Sequence, residues 1–424
     1  MNLKTLQEKG AYLTPVLFAL FVFFIPLSPS LKSVFFVLAI ASVLFNPYYN
    51  QNLFYAFNSS WGRLALLFVG FVALACLWSP ASFSMQMSVL SKYSKLLYLP
   101  ILAVGFISSK TRFWCMNAYL LSMVVTCITA LLKIKGFVHV GNPIDPGELF
   151  YNHIITGFMM ALACYVAALQ GFKFKGWPRA FYLFVVLITS YQILFLNTGR
   201  TGYVIYLLVM GLLLIQKLPL KKAFVGMLVL SALMFIAYSL SPTMQSGIHN
   251  LIVDAQSLHA NNANSSIGFR FQFHDYAQSL VRKHPFFGVG TGGFQFSFIK
   301  DQPIPAWGKL LNDPHSQYWL TLSEQGLIGA VLLGLFFASL FLAAFKLTEY
   351  KSLLLGILIT FCVGSSFDSI LCYSTIGYLL IVFTALSFGE SIEKYALEKK
   401  KELNSVPNLE GNDLHLSSIQ ALIK

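Results

Sequence analysis

Two arginines and a histidine, each in a distinctive setting, are the side chains best suited to chemistry. The stretch DPHSQYWLTLSEQGLIG, residues 313–329, joins a long polar loop to an apolar run. Asp313 can cap a helix, and Pro314 fits its first turn, where a missing N–H costs nothing. His315 is then expected inside that turn. The positive end of a helix disfavours imidazolium, so a histidine there stays neutral and can accept a proton. Tyr318, Leu322 and Gly326 follow at helical spacing, so one helix can run from the loop into the membrane, with Tyr318 close enough to touch a substrate. The plainer alternative is that His315 belongs to an interfacial belt of aromatic and polar residues.

Arg200 lies in LNTGRTGY at a helix junction. An arginine near a bilayer surface is costly unless it meets water or an anion, and its planar fork suits a bidentate phosphate contact. Snorkelling at a helix end is the competing reading. Arg270 lies in GFRFQFHDYAQSL. If that stretch is helical, Arg270, His274 and Gln278 share a face, although a surface salt bridge on an amphipathic helix accounts for the charges as well. RKHPFFGVGTGGF follows at 282–294. With no strand beside it, its glycines read better as a tight turn than as a phosphate cradle. Arg282 and Lys283 can still add positive field near a lipid phosphate.

Arginines beside a neutral-tending histidine suit one kind of chemistry. The cations hold a lipid-linked pyrophosphate, the histidine deprotonates an attacking hydroxyl, and the neutralised pyrophosphate leaves. Neither Asp313 with His315 nor His274 with Asp275 has diagnostic metal spacing, so no metal or cofactor is expected. GxSxG and HExxH motifs are lacking, which removes support for a hydrolase.

The elements that must position these residues are apolar. Of 424 residues, 57% are hydrophobic and only 11% charged. Soluble domains carry roughly 25% charged residues, so an all-α, polytopic membrane protein is expected. The net charge of +13 is spread over short loops, which argues against a nucleic-acid partner and for contact with membrane lipids. The six cysteines sit in or beside apolar runs without a CxxC, so neither disulfides nor zinc is indicated.

With roughly 20 residues per crossing, apolar runs from 11–27 to 369–388 predict about twelve spans within a single helical domain, residues 1–390. Basic residues concentrate in alternate short connections, such as Lys173, Lys175 and Arg179, then Lys217, Lys221 and Lys222. That bias places both termini in the cytoplasm and the 241–317 loop outside. A loop of that length is usually functional or disordered, and its amphipathic stretches predict two or more short helices. A second outer loop, 133–152, carries Asp145, Glu148 and Tyr151 and is a candidate wall of the same site. Residues 391–424 read as a polar, flexible cytoplasmic tail.

Taken in order, LNTGRTGY, GFRFQFHDYAQSL, PFFGVGTGGF and DPHSQYWLTLSEQGLIG resemble the O-antigen ligase (WaaL-type) and Wzy-C family over roughly residues 150–350. The resemblance implies a GT-C-like, inverting, metal-independent glycosyltransferase at the periplasmic face of a bacterial inner membrane. It implies transfer of O-antigen polysaccharide from undecaprenyl pyrophosphate to lipid A–core, with His315 as base and Arg200 and Arg270 holding the pyrophosphate. One departure is that Ser316 stands where the family commonly has Asn. An O-antigen polymerase or a protein O-oligosaccharyltransferase would share the donor. A transporter would need charges in mid-membrane, and the single candidate, Asp368, is better explained by a short outer turn.

Overall fold

The computed structural model describes residues 3–405, apart from 144, 261–262 and 309–310. It contains helices and no strand among the described residues. The first part holds α1 (Leu3–Phe24), α2 (Pro29–Leu44), α3 (Pro47–Asn50), α4 (Leu53–Asn58), α5 (Ser60–Leu74), α6 (Phe83–Ser94), α7 (Tyr98–Gly105) and α8 (Ser109–Ile134). Then come α9 (His153–Lys173), α10 (Trp177–Tyr191), α11 (Arg200–Lys217) and α12 (Leu220–Leu240). The long loop contributes α13 (Pro242–His259), α14 (Ser266–Lys283) and α15 (Gly293–Asp301), and the chain closes with α16 (Gln317–Phe345), α17 (Lys351–Phe367) and α18 (Ser374–Ser405).

Helix starts follow local chemistry. Ser28, Asn152, Ser241 and Ser265 each accept a backbone N–H from the first turn that follows, and Pro29 and Pro242 occupy opening positions. The middle of the bundle is α9, buried almost throughout. Its Gly157, Ala161, Ala163 and Ala167 let neighbouring helices approach closely.

Every apolar run of the sequence is helical among the described residues, though several of the helices are bent, interrupted or short. Among the described residues, eight helices are long and apolar enough to span a membrane, and a ninth arises if α2 and α3–α4, bent by 75°, form one span. The run at 93–108 is interrupted: a 3-10 turn at Lys95–Leu97 separates α6 from α7. Helix α17 is apolar but only 17 residues long, slightly short of a full crossing. The tail is not free from residue 391 onward. Helix α18 continues through it to Ser405, Glu393 pairs with the buried Arg112, and Tyr395 stacks on Tyr55 at 3.8 Å. Residues 406–424 lie outside the described residues.

The helix expected to run unbroken from His315 into the membrane breaks at Gly326, whose φ is +64°. A break frees backbone groups that must find partners away from water. The glycine-rich strap supplies them. Val289 and Gly290 donate N–H groups to the carbonyls of Ser323 and Glu324 at 2.9 and 2.8 Å, and Leu327 and Ile328 donate to Pro285 and Phe286 at 2.8 and 3.2 Å. The glycines therefore form a backbone splint and not a phosphate cradle. A Cβ on Gly326 would lie 2.3 Å from the Phe286 carbonyl oxygen, and one on Gly288 would lie 2.4 Å from Glu324. Gly326→Ala and Gly288→Ala should each cost about 1–3 kcal/mol through strain and steric conflict. Gly334→Ala, on open surface of the same helix, should be neutral, and thermal unfolding in detergent distinguishes the three.

Candidate functional site

One cavity of about 370 Å³ is lined by Arg200, Thr201, Val204, Leu251, Ile267, Arg270, Phe271, His274, His315, Ser366 and Phe367. Residues from five separate segments meet there.

Arg200 opens α11. Before it, α10 passes into a π-helical turn, Gln192–Leu196, and the chain crosses Asn197, Thr198 and Gly199. The Thr198 hydroxyl donates to Asp145 Oδ2 at 2.6 Å, and Asp145 also meets His153 Nδ1 at 3.0 Å. Burial opposes the Asp145 carboxylate, but hydrogen bonds from His153, Thr198 and Gly147 outweigh it and hold its pKa below the usual value. Loop 133–152 thus braces the arginine's turn, yet none of its residues lines the cavity. Tyr151 faces elsewhere and donates to the Ile25 carbonyl. Arg200 Nη1 donates to Asp254 Oδ2 of α13 at 2.9 Å.

Arg270 sits in the second turn of α14 and has no hydrogen bond or ion pair to a protein group among the described residues. His274, one turn on, also lines the cavity. Burial, with Arg270 and His315 adding positive charge, lowers the His274 pKa against contrary contributions from nearby backbone, so its ring stays neutral. Its Nε2 is buried without an aligned hydrogen-bond partner. Gln278 continues that face but accepts from Arg282.

His315 is not in a helical turn. Helix α16 begins at Gln317, and His315 precedes it with φ +51°. Asp313 does not cap that helix; its Oδ1 accepts the His315 backbone N–H at 3.0 Å. The imidazole Nδ1 lies 3.2 Å from Asp368 Oδ1. Asp368 is 1% exposed and accepts from the Ser369 N–H at 2.8 Å and the Tyr373 hydroxyl at 3.0 Å. Burial alone would lower the His315 pKa, but the hydrogen bond and charge of Asp368, with Asp313 behind, overcome it and the opposing Arg270. The net shift is upward, opposite to the helix-end expectation, because a buried carboxylate at contact distance outweighs a partial dipole charge. With Nδ1 turned to Asp368, Nε2 remains to accept a proton.

The turn bearing Asp368 is held from the other side. The buried Lys95 ammonium donates to the carbonyls of Leu371 and Tyr373 at 2.9 and 3.1 Å. Tyr373 is itself pushed upward by burial and by Asp368 and Asp313, so it remains a hydroxyl donor. Sequence reading assigned Asp368 to a short turn and missed its partnership with His315. The available signal was one acid closing an otherwise apolar helix, and 53 residues separate it from the histidine.

Other expected residues fall outside the cavity. Arg282 and Lys283 lie in the last turn of α14, away from its lining. Tyr318 belongs to a separate apolar pocket between α16 and α17, where its hydroxyl donates to the Cys362 carbonyl at 2.7 Å. Two groups have donors close enough for a cation among the described residues: Asp313, His315 and Asp368, and Asp145, Glu148 and His153.

Residues 182–334 match the family model described as O-antigen ligase. That segment contains Arg200, Arg270 and His315, and it ends before Asp368. The match supports, at the level of class, a glycosyltransferase-type enzyme of the O-antigen ligase and polymerase kind. The chain is also similar to an uncharacterized protein of Haemophilus influenzae, 26% identical over 178 residues, covering 40% of this chain and 44% of that protein.

The His315–Asp368 contact has a measurable consequence. Carbethoxylation of His315 by diethyl pyrocarbonate, which needs the neutral ring, should show its midpoint above the ordinary histidine value of 6.5. Asp368→Asn should move that midpoint to lower pH, since burial and Arg270 then act unopposed by the carboxylate's hydrogen bond and neighbouring charge. Peptide mass spectrometry of protein modified across a pH series reads both.

Proposed function

We propose that the chain is an O-antigen ligase. It transfers a polysaccharide from undecaprenyl pyrophosphate to lipid A–core at the periplasmic face of a bacterial inner membrane, with both termini cytoplasmic. The observation that carries this reading is the single cavity lined by Arg200, Arg270 and His315, with a buried carboxylate behind the histidine.

The chemistry follows from the charges. Two guanidinium groups at the cavity suit the donor's diphosphate, which needs fixed positive charge as it leaves. His315 Nε2 takes the proton of the acceptor hydroxyl as its oxygen bonds the anomeric carbon. The bond from that carbon to the diphosphate oxygen breaks, and the released charge rests on the arginines. Asp368 stabilises the imidazolium that forms. Attack from the face opposite the leaving group inverts the anomeric centre. With arginines neutralising the leaving group and Nδ1 engaged by Asp368, the residues perform each step without a metal.

His315→Ala should lower transfer by about 10²- to 10⁴-fold while membrane insertion survives. Near-normal decoration of lipid A–core by that variant would remove His315 from the mechanism. Arg200→Ala and Arg270→Ala should weaken donor binding or turnover, and lysine should restore either only in part, since it lacks the planar fork. Activity of purified enzyme should survive EDTA; loss reversed by a divalent ion would refute the metal-free route. Cells lacking the protein should accumulate loaded donor and lose long chains on lipid A–core, whereas single repeat units on the core would indicate a polymerase.

A further inference from the structure

Asp254 is the carboxylate bound to the cavity's first arginine, and no assigned role explains it. It accepts from Arg200 Nη1 at 2.9 Å, and both side chains are largely shielded, 16% and 27% exposed. One turn before it on the same helix, Leu251 lines the cavity. A carboxylate held there repels any phosphate that approaches Arg200. Arg270, by contrast, meets no protein acceptor among the described residues. The two guanidiniums of one cavity are thus prepared differently, one open and one occupied.

The helix carrying Asp254 is suited to movement. Met244 is the one buried residue of α13, and Leu251, Ile252 and Val253 are more than 40% exposed. Segments with few buried apolar contacts open at low free energy. The ion pair with Arg200 therefore joins α13 to the helix bundle at the cavity, and its rupture disturbs little packing.

We infer that Asp254 is a displaceable counter-ion, occupying Arg200 in the empty site and yielding it to an incoming diphosphate. This rests on the reading of the cavity as a diphosphate site. Arg270 captures the ligand first; a diphosphate carries enough charge to take Arg200 from the carboxylate, whereas a monophosphate competes poorly. Asp254 is in these terms a specificity-determining residue. It favours groups of high negative charge and ties α13 to the state of the site.

The test is binding of inorganic pyrophosphate and inorganic phosphate to the full-length protein in detergent, measured by calorimetry for wild type, Asp254→Asn, Asp254→Glu and Arg270→Ala. Asp254→Asn should bind pyrophosphate about three- to tenfold more tightly, and phosphate should gain more, so the preference for pyrophosphate narrows. Asp254→Glu retains the charge and should behave as wild type. Unchanged or weaker binding by Asp254→Asn, with an unaltered melting temperature, would overturn the inference and make Asp254 a support for Arg200. The diphosphate reading is tested separately: pyrophosphate binding by wild type that Arg270→Ala abolishes supports it. Failure of wild type to bind, or indifference to Arg270→Ala, would overturn that reading and this inference with it.

Discussion

The contact between His315 and the buried carboxylate of Asp368 is the constraint on which the candidate site depends. A carboxylate out of water is tolerated only when its lone pairs are satisfied, and three donors satisfy this one: an imidazole, a phenol and a backbone amide. Each comes from a segment that must itself be fixed. The phenol and amide belong to the turn between α17 and α18, which Lys95 holds by two carbonyls. The imidazole sits in a left-handed backbone conformation just before α16. Removing the carboxylate would therefore both lower the basicity of the histidine and leave a strained residue without its anchor.

The break in α16 has a related logic. Apolar helices position themselves by their own hydrogen bonds and side-chain packing; irregular backbone at the end of a bundle needs a partner. Here the partner is the strap from Pro285 to Gly290, which bonds across the break in both directions. The loop region above it has a second apolar cluster, with Phe273, Tyr276, Leu280, Phe294 and Phe298 packed against Leu320 of α16. Arg270 and His274 ride on that cluster, so the same packing that seats the loop on the bundle brings their helix face to the cavity.

Much of this was legible in the sequence, for reasons that differ by residue. The apolar runs became helices because hydropathy and backbone satisfaction point the same way. Arg200, Arg270, His274 and His315 could be picked out because charge beside glycine or aromatics at an apolar boundary is unusual, and the structure brings all four to one cavity. What could not be read was set by distance along the chain. Asp368 lies 53 residues from His315, and Asp254 lies 54 from Arg200. No local pattern couples either pair. The expected downward pull on the His315 pKa failed because it rested on a helix start three residues too early and on a dipole smaller than the charge across the turn. Tyr318 was misplaced because helical spacing gives the face of a residue and leaves open which neighbour covers it. Where the helices bend or break could not be read either, since composition does not reveal bends and interruptions.

The π-helical turn at Gln192–Leu196 has a consequence of its own. Such a turn accommodates one residue more than an α-helix would, and each residue of an α-helix advances the chain by about 100° around the axis. The extra residue therefore sets the bearing from which Thr198 and Arg200 leave α10. Loss of a single residue from this turn, with no change to any side chain at the cavity, would swing the first arginine around the helix axis and disengage it from Asp254, and would draw Thr198 away from Asp145. The length of this segment is in that sense as much a part of the site as its chemistry.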